Sequence, residues 1–154
     1  VSPVHAPREA LHAINRAMCR LLPSGVFFTA IYARLDRTTG LLTIASAGHP
    51  PAVVFRRDQG TAVPVEQSGD VIGSFPDADF GVTQLPLQRG DRFFLYSDGL
   101  VEVEGAAQFR PESLCRACEA HGGAELEASV AAVSSLLAGQ KEAADDWLLL
   151  GVEV

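Results

Sequence analysis

The hydrophobic pattern of this chain predicts an α+β fold, and three observations predict it. Apolar residues recur at helical spacing near the start, over residues 7–22. Between residues 26 and 97 the period changes to that of strands, broken at intervals by turn residues. Helical spacing then returns over 111–138, followed by a short apolar terminal segment. Strands grouped apart from helices give helices packed on sheet faces rather than alternating βαβ units. The 154 residues suit one compact domain, and 47% hydrophobic residues can form a core without disulfides or a structural metal.

The first helix, residues 7–22, places Leu11, Ile14, Met18, Leu21 and Leu22 on its apolar side. His12, Asn15, Arg16 and Arg20 are assigned to the polar side. Pro7 suits a first helical position and Pro23 stops the run. Val26 to Leu35 is rich in aromatic and β-branched residues and reads as a strand. Asp36-Arg37-Thr38-Thr39-Gly40 supplies turn chemistry before a second strand, Leu41 to Ala47. Past Gly48-His49-Pro50-Pro51, residues 52–56 and 61–65 form a hairpin about Arg57-Asp58-Gln59-Gly60. Residues 80–87 and 91–97 are expected to pair with each other around Gln88-Arg89-Gly90. Pro111–Ala120 is a helix ending at Gly122-Gly123, and Glu125–Ala138 another, with Leu126, Val130, Val133, Leu136 and Leu137 as its apolar stripe. Trp147 to Val154 is apolar enough for a final buried strand in the same sheet system.

Net charge is −7 and the arginines are scattered, so the local positive field a nucleic-acid binder needs is missing. An acidic excess suits a site that gathers divalent cations. No apolar run reaches the ~18 residues of a membrane span. Three cysteines argue against a disulfide framework, so a soluble cytoplasmic protein is the simplest reading.

Two acidic features could carry chemistry. Phe93 to Tyr96 reads as a buried strand running into Ser97-Asp98-Gly99, where a carboxylate would be held rigidly and a ligand could come close to the glycine backbone. The plainer alternative is an ordinary Asp-Gly turn. Asp145-Asp146 stands just before the terminal strand, where repulsion and lost hydration would be relieved by a cation. An extended backbone would send the two side chains to opposite faces, so only one would meet a given metal. A solvated strand start is the alternative. His49 carries an imidazole and could serve as a general acid, but the prolines after it favour a strand-exit turn. Cys115-x-x-Cys118 with His121 could bind zinc, although the two thiols share a helix face with Leu114 and read as buried core. Cys19 falls beside Met18 on the first helix and needs no special account.

Several blocks, in order, resemble the stage II sporulation protein E-type serine phosphatases, a branch of the metal-dependent protein phosphatase 2C superfamily. Gly90-Asp91-Arg92-Phe93-Phe94-Leu95-Tyr96-Ser97-Asp98-Gly99-Leu100-Val101-Glu102 resembles that family's GDxLxLYTDGxxE block. Ala47-Gly48-His49-Pro50-Pro51 matches its AGHPP turn, and Phe27-Phe28-Thr29-Ala30 is similar to its FVTA strand. Ile72-Gly73 stands where the family has Leu-Gly, and Ala144-Asp145-Asp146-Trp147-Leu148-Leu149-Leu150 looks like its closing DDxTLL strand.

The resemblance implies an α-β-β-α sandwich of antiparallel sheets flanked by helices, with a two-metal site of Mn2+ or Mg2+. It makes Asp98 and Asp145 metal ligands and Asp146 a close neighbour of the site. It further implies hydrolysis of phosphoserine or phosphothreonine on an anti-anti-sigma-type protein, with a sensor domain upstream. The family's first metal motif, a Gly-Asp-rich hairpin, has no counterpart in these residues, and Leu148 replaces the usual Thr. Residues 1–154 are therefore expected to be an N-terminally truncated phosphatase domain, roughly the C-terminal two-thirds of it. An exposed sheet edge would then invite homodimer formation. The competing expectation is a catalytically inactive module that docks a sigma-regulatory partner.

Overall fold

The computed structural model describes residues 6–97, 111–138 and 148–154. The described residues form two compact units, each with its own antiparallel sheet and its own helical cover. This is the expected α+β composition.

The first unit comprises residues up to His49 together with Glu66–Leu87. Its helix α1 spans Pro7–Leu21, with Pro7 in the first turn as the sequence predicts. Its strands β1 (Ala30–Asp36), β2 (Leu41–Ala47) and β5 (Gly81–Pro86) form a sheet ordered β1-β2-β5. The β1–β2 turn is built by Asp36, whose Oδ1 accepts from the amides of Thr38 (2.8 Å) and Thr39 (3.2 Å). Gly40 closes it at φ +69°, and a Cβ there would lie 2.5 Å from the Leu87 carbonyl oxygen. Leu11, Ala45, Ala47, Ile72, Ala78 and Phe80 are the core beneath α1.

The buried stripe of α1 is rotated from the sequence reading. Leu11 and Asn15 are buried, while Ile14 is 39% and Leu21 72% exposed. Asn15 is thus an interior residue. Its Nδ2 donates to the Phe75 carbonyl at 2.8 Å, and its Oδ1 accepts from the Gly73 amide at 2.9 Å. Polarity assigned it to the outer face; satisfied hydrogen bonds allow it inside.

The second unit holds residues 50–65 and 88 onward. Strands β3 (Val53–Arg56), β4 (Thr61–Pro64), β6 (Arg92–Tyr96) and β7 (Leu149–Glu153) give the order β4-β3-β6-β7. Helices α2 (Pro111–His121) and α3 (Leu126–Ala138) match the expected helices to within a residue. They close a core of Val53, Phe55, Phe94, Tyr96, Leu114, Cys118 and Val133.

One strand pairing differs from expectation. Residues 81–86 and 92–96 do not pair with each other: β5 lies beside β2, and β6 between β3 and β7. The short link reads locally like a hairpin loop, but each strand finds a better-matched partner elsewhere. Residues 26–29 are likewise not part of β1, which begins at Ala30; only Phe28 makes an isolated bridge, to Ile72.

Candidate metal centre

Strand β6 is the interior strand that leads to Asp98. Partners on both sides satisfy its backbone, and Phe93, Phe94 and Tyr96 are buried. Its ladder with β7 runs from Arg92 opposite Glu153 to Tyr96 opposite Leu149. Beyond the ladder the Ser97 amide donates to the Leu148 carbonyl at 3.0 Å, and the Leu148 amide donates to Ser97 Oγ at 2.9 Å. The end of β6 and the start of β7 therefore meet at one sheet edge. Asp98 follows Ser97 directly, and Asp145-Asp146 precede Leu148 by a few residues. Asp98, Asp145 and Asp146 themselves lie outside the described residues. Among the described residues no group of three His, Cys, Asp or Glu could hold a metal ion. Asp98, Asp145 and Asp146 carry carboxylates, and an all-oxygen donor set fits hard cations such as Mn2+ and Mg2+.

At the opposite end of β6, Asp91 is buried among donors. Burial alone pushes its carboxyl up, but hydrogen bonds from the Gln88 and Arg57 amides and from Arg56 outweigh that and hold it below the usual range. Arg92, beside it, is 1% exposed and bonds Glu153 Oε2 through Nε at 2.7 Å. Sequence reasoning singled out neither Arg92 nor Asn15, although periodicity carries a signal for both. Arg92 alternates with Phe94 and Tyr96 on one strand face, and Asn15 lies one turn from Leu11.

His49 closes the turn after β2, where its carbonyl accepts from Ser46 Oγ at 3.4 Å and Gly48 takes φ +63°. That is the strand-exit turn the sequence favours. Cys115 and Cys118 are buried core. Burial pushes their thiols up, to about 11 and about 12, so both are protonated near neutral pH in the metal-free protein.

The class this architecture defines is an α+β domain built from two antiparallel sheets, each with its own helical cover. The chain belongs to the Stage II sporulation protein E (SpoIIE) family, whose model matches residues 2–154. It is 31% identical over 96 residues to the phosphoserine phosphatase RsbU of Bacillus subtilis. That match covers 62% of this chain and 29% of RsbU, so the chain spans less than a third of this relative's length. A crystal structure of the RsbU and RsbW domains of Rv1364c from Mycobacterium tuberculosis superposes with a TM-score of 0.85 at 28% identity. It covers 99% of this chain and 43% of that one. The manganese-presoaked phosphatase domain of SpoIIE from Bacillus subtilis shares the fold, with a TM-score of 0.67 at 16% identity over 82% of this chain and 56% of that one. Among the described residues no helix is long and apolar enough to cross a membrane.

Proposed function

We propose that this chain belongs to a cytoplasmic, metal-dependent protein phosphatase that hydrolyses phosphoserine or phosphothreonine on an anti-anti-sigma-type regulatory protein. The observation that supports the reading is the β6–β7 pairing, which brings Ser97, next to Asp98 in sequence, beside Leu148, two positions after Asp146. Asp98 and Asp145 would hold Mn2+ or Mg2+, with Asp146 beside them. Once bound, a pair of such cations supplies an activated water and offsets charge on the phosphoryl oxygens. The chain's own part would be to present Asp98 directly after β6, a buried strand paired on both sides. A sensor domain elsewhere in the polypeptide belongs to the same reading, since RsbU is much longer than its match here. Self-association is supported by β1, an edge strand whose outer hydrogen-bonding side has no strand partner among the described residues.

Few acidic ligands are offered against the four positive charges of two cations. These 154 residues alone should therefore release little or no phosphate from a phosphoserine peptide with manganese. A protein that carries the family's Gly-Asp hairpin ahead of them should turn over, and Asp98→Asn should abolish it. Strong turnover by the short chain would make the hairpin dispensable. No turnover by the longer protein would favour the inactive module that binds a sigma-regulatory partner.

A further inference from the structure

Strand β4 is an outer strand of the second unit's sheet, and an outer strand offers backbone N–H groups to any strand that approaches it. The ladder fixes which of its groups point outward. The Val65 amide donates to the Ala52 carbonyl at 2.7 Å, and the register sets Val53 against Pro64, Val54 against Val63 and Phe55 against Ala62. Hydrogen-bonded pairs alternate along an antiparallel ladder. Thr61, Val63 and Val65 therefore bond towards β3, while Ala62 and Pro64 turn their backbone groups away from it.

Neither outward position of β4 has an amide to offer. Pro64 carries no N–H. The Ala62 amide donates to Glu119 Oε1 at 2.9 Å, a partner 57 positions further along the chain. Glu119 lies near the end of α2, the helix that packs against β3 and β4. The Ala62 side chain is buried in the core with Phe55 and Leu114, so its amide cannot turn elsewhere without leaving that core. Val63, between the two outward positions, is 50% exposed and would give an incoming strand an apolar surface.

We propose that Glu119 closes the β4 edge against strand addition by a second copy of this chain. Two β4 strands related by a twofold axis could set Ala62 against Ala62, each amide meeting the other's carbonyl. Glu119 holds that amide through a hydrogen bond to a charged acceptor, which a second copy would have to displace. Pro64 then denies the copy another donor on the same edge. With Glu119 removed, the self-complementary pairing becomes available. The inference is independent of the phosphatase reading and of the self-association assigned to β1, which belongs to the other sheet.

The test follows hydrogen exchange of the Ala62 amide and the sedimentation mass, from micromolar to near-millimolar protein. It compares the wild type with Glu119→Ala, Glu119→Gln and Glu119→Ala combined with Val63→Lys. Glu119 is exposed on its helix, where alanine is the best helix former, so Glu119→Ala should keep the fold. At low concentration Ala62 should exchange about tenfold faster in Glu119→Ala than in the wild type. Its protection should return as concentration rises and the mass doubles. Glu119→Gln keeps an acceptor oxygen and should stay close to the wild type. Adding Val63→Lys should abolish the concentration dependence, because a charge on an edge strand opposes pairing. Ala62 exchange that ignores concentration in Glu119→Ala would overturn the proposal, even if the mass rises, since association would then use another edge. Concentration-dependent protection of Ala62 in the wild type would overturn it as well, because the edge would be open with Glu119 in place.

Discussion

Asp91 accepts from the Gln88 amide at 2.9 Å, the Arg57 amide at 3.0 Å and Arg56 Nη1 at 2.8 Å, with its side chain 3% exposed. These donors favour the carboxylate over the protonated acid, and although burial pushes the other way its pKa is depressed in the fold. The stability it contributes is therefore present above the unfolded value of about 3.9 and is lost as pH falls through the lower, folded value. Asp91→Asn should lower stability at pH 7 and flatten its decline below about pH 4, the ordinary carboxylate range. Urea midpoints across pH 3 to 7 test this; parallel curves for both proteins would remove Asp91 as an acid-sensitive residue. Asn15 makes the related point for a neutral group. Its amide closes on Phe75 and Gly73, sixty or so positions away in sequence. Nothing near residue 15 announces those partners, which is why polarity put it on the wrong side of α1.

Strand β7 shows how an element is held in register by what it lacks. A Cβ on Gly151 would lie 2.7 Å from Val130 Cγ2, 3.1 Å from Phe94 Cε1 and 3.3 Å from Leu126 Cδ1. The strand thus passes α3 at glycine distance, and Gly151 faces Phe94 in the ladder. Gly151→Ala should overpack this contact and cost about 1–3 kcal/mol in denaturant unfolding. A neutral result would mean that α3 yields easily. Most elements were legible beforehand: α1, β2, α2 and α3 stand within a residue or so of their expected bounds. Each announces itself through local signals such as Pro7, the Asp36–Gly40 turn and Gly122. The pairing of residues 80–87 with 91–97 was misread, because a short turn-rich link carries the same local signal whether its strands join one sheet or two.

For the whole molecule, the consequential question is whether a cation binds at the proposed site of Asp98 and Asp145. If Asp98 and Asp145 converge, as the proposed function requires, two carboxylates ~4 Å apart would repel by about 4 kcal/mol at an effective dielectric near 20. Folding without a metal would bear that cost, and binding would remove it. Millimolar manganese should therefore raise the melting temperature, by the equivalent of about 2.7 kcal/mol at a hundredfold excess over Kd. Asp98→Asn should lose most of that shift. Equal shifts in both proteins would place the ion elsewhere.

The sequence by itself determined the α+β class, the order of the elements, the family, and the acidic residues on which the functional reading depends. These are carried by hydrophobic period, turn residues and short motifs, all of which are local in the chain. Only the tertiary structure decided which strands pair and which polar groups go inside. Arg92 is buried because Glu153 and the carbonyls of Gly122 and Ala124 satisfy it, and Asn15 because Gly73 and Phe75 do. A buried polar group is tolerated according to partners that the fold brings from distant positions, and no local pattern records where those partners will be.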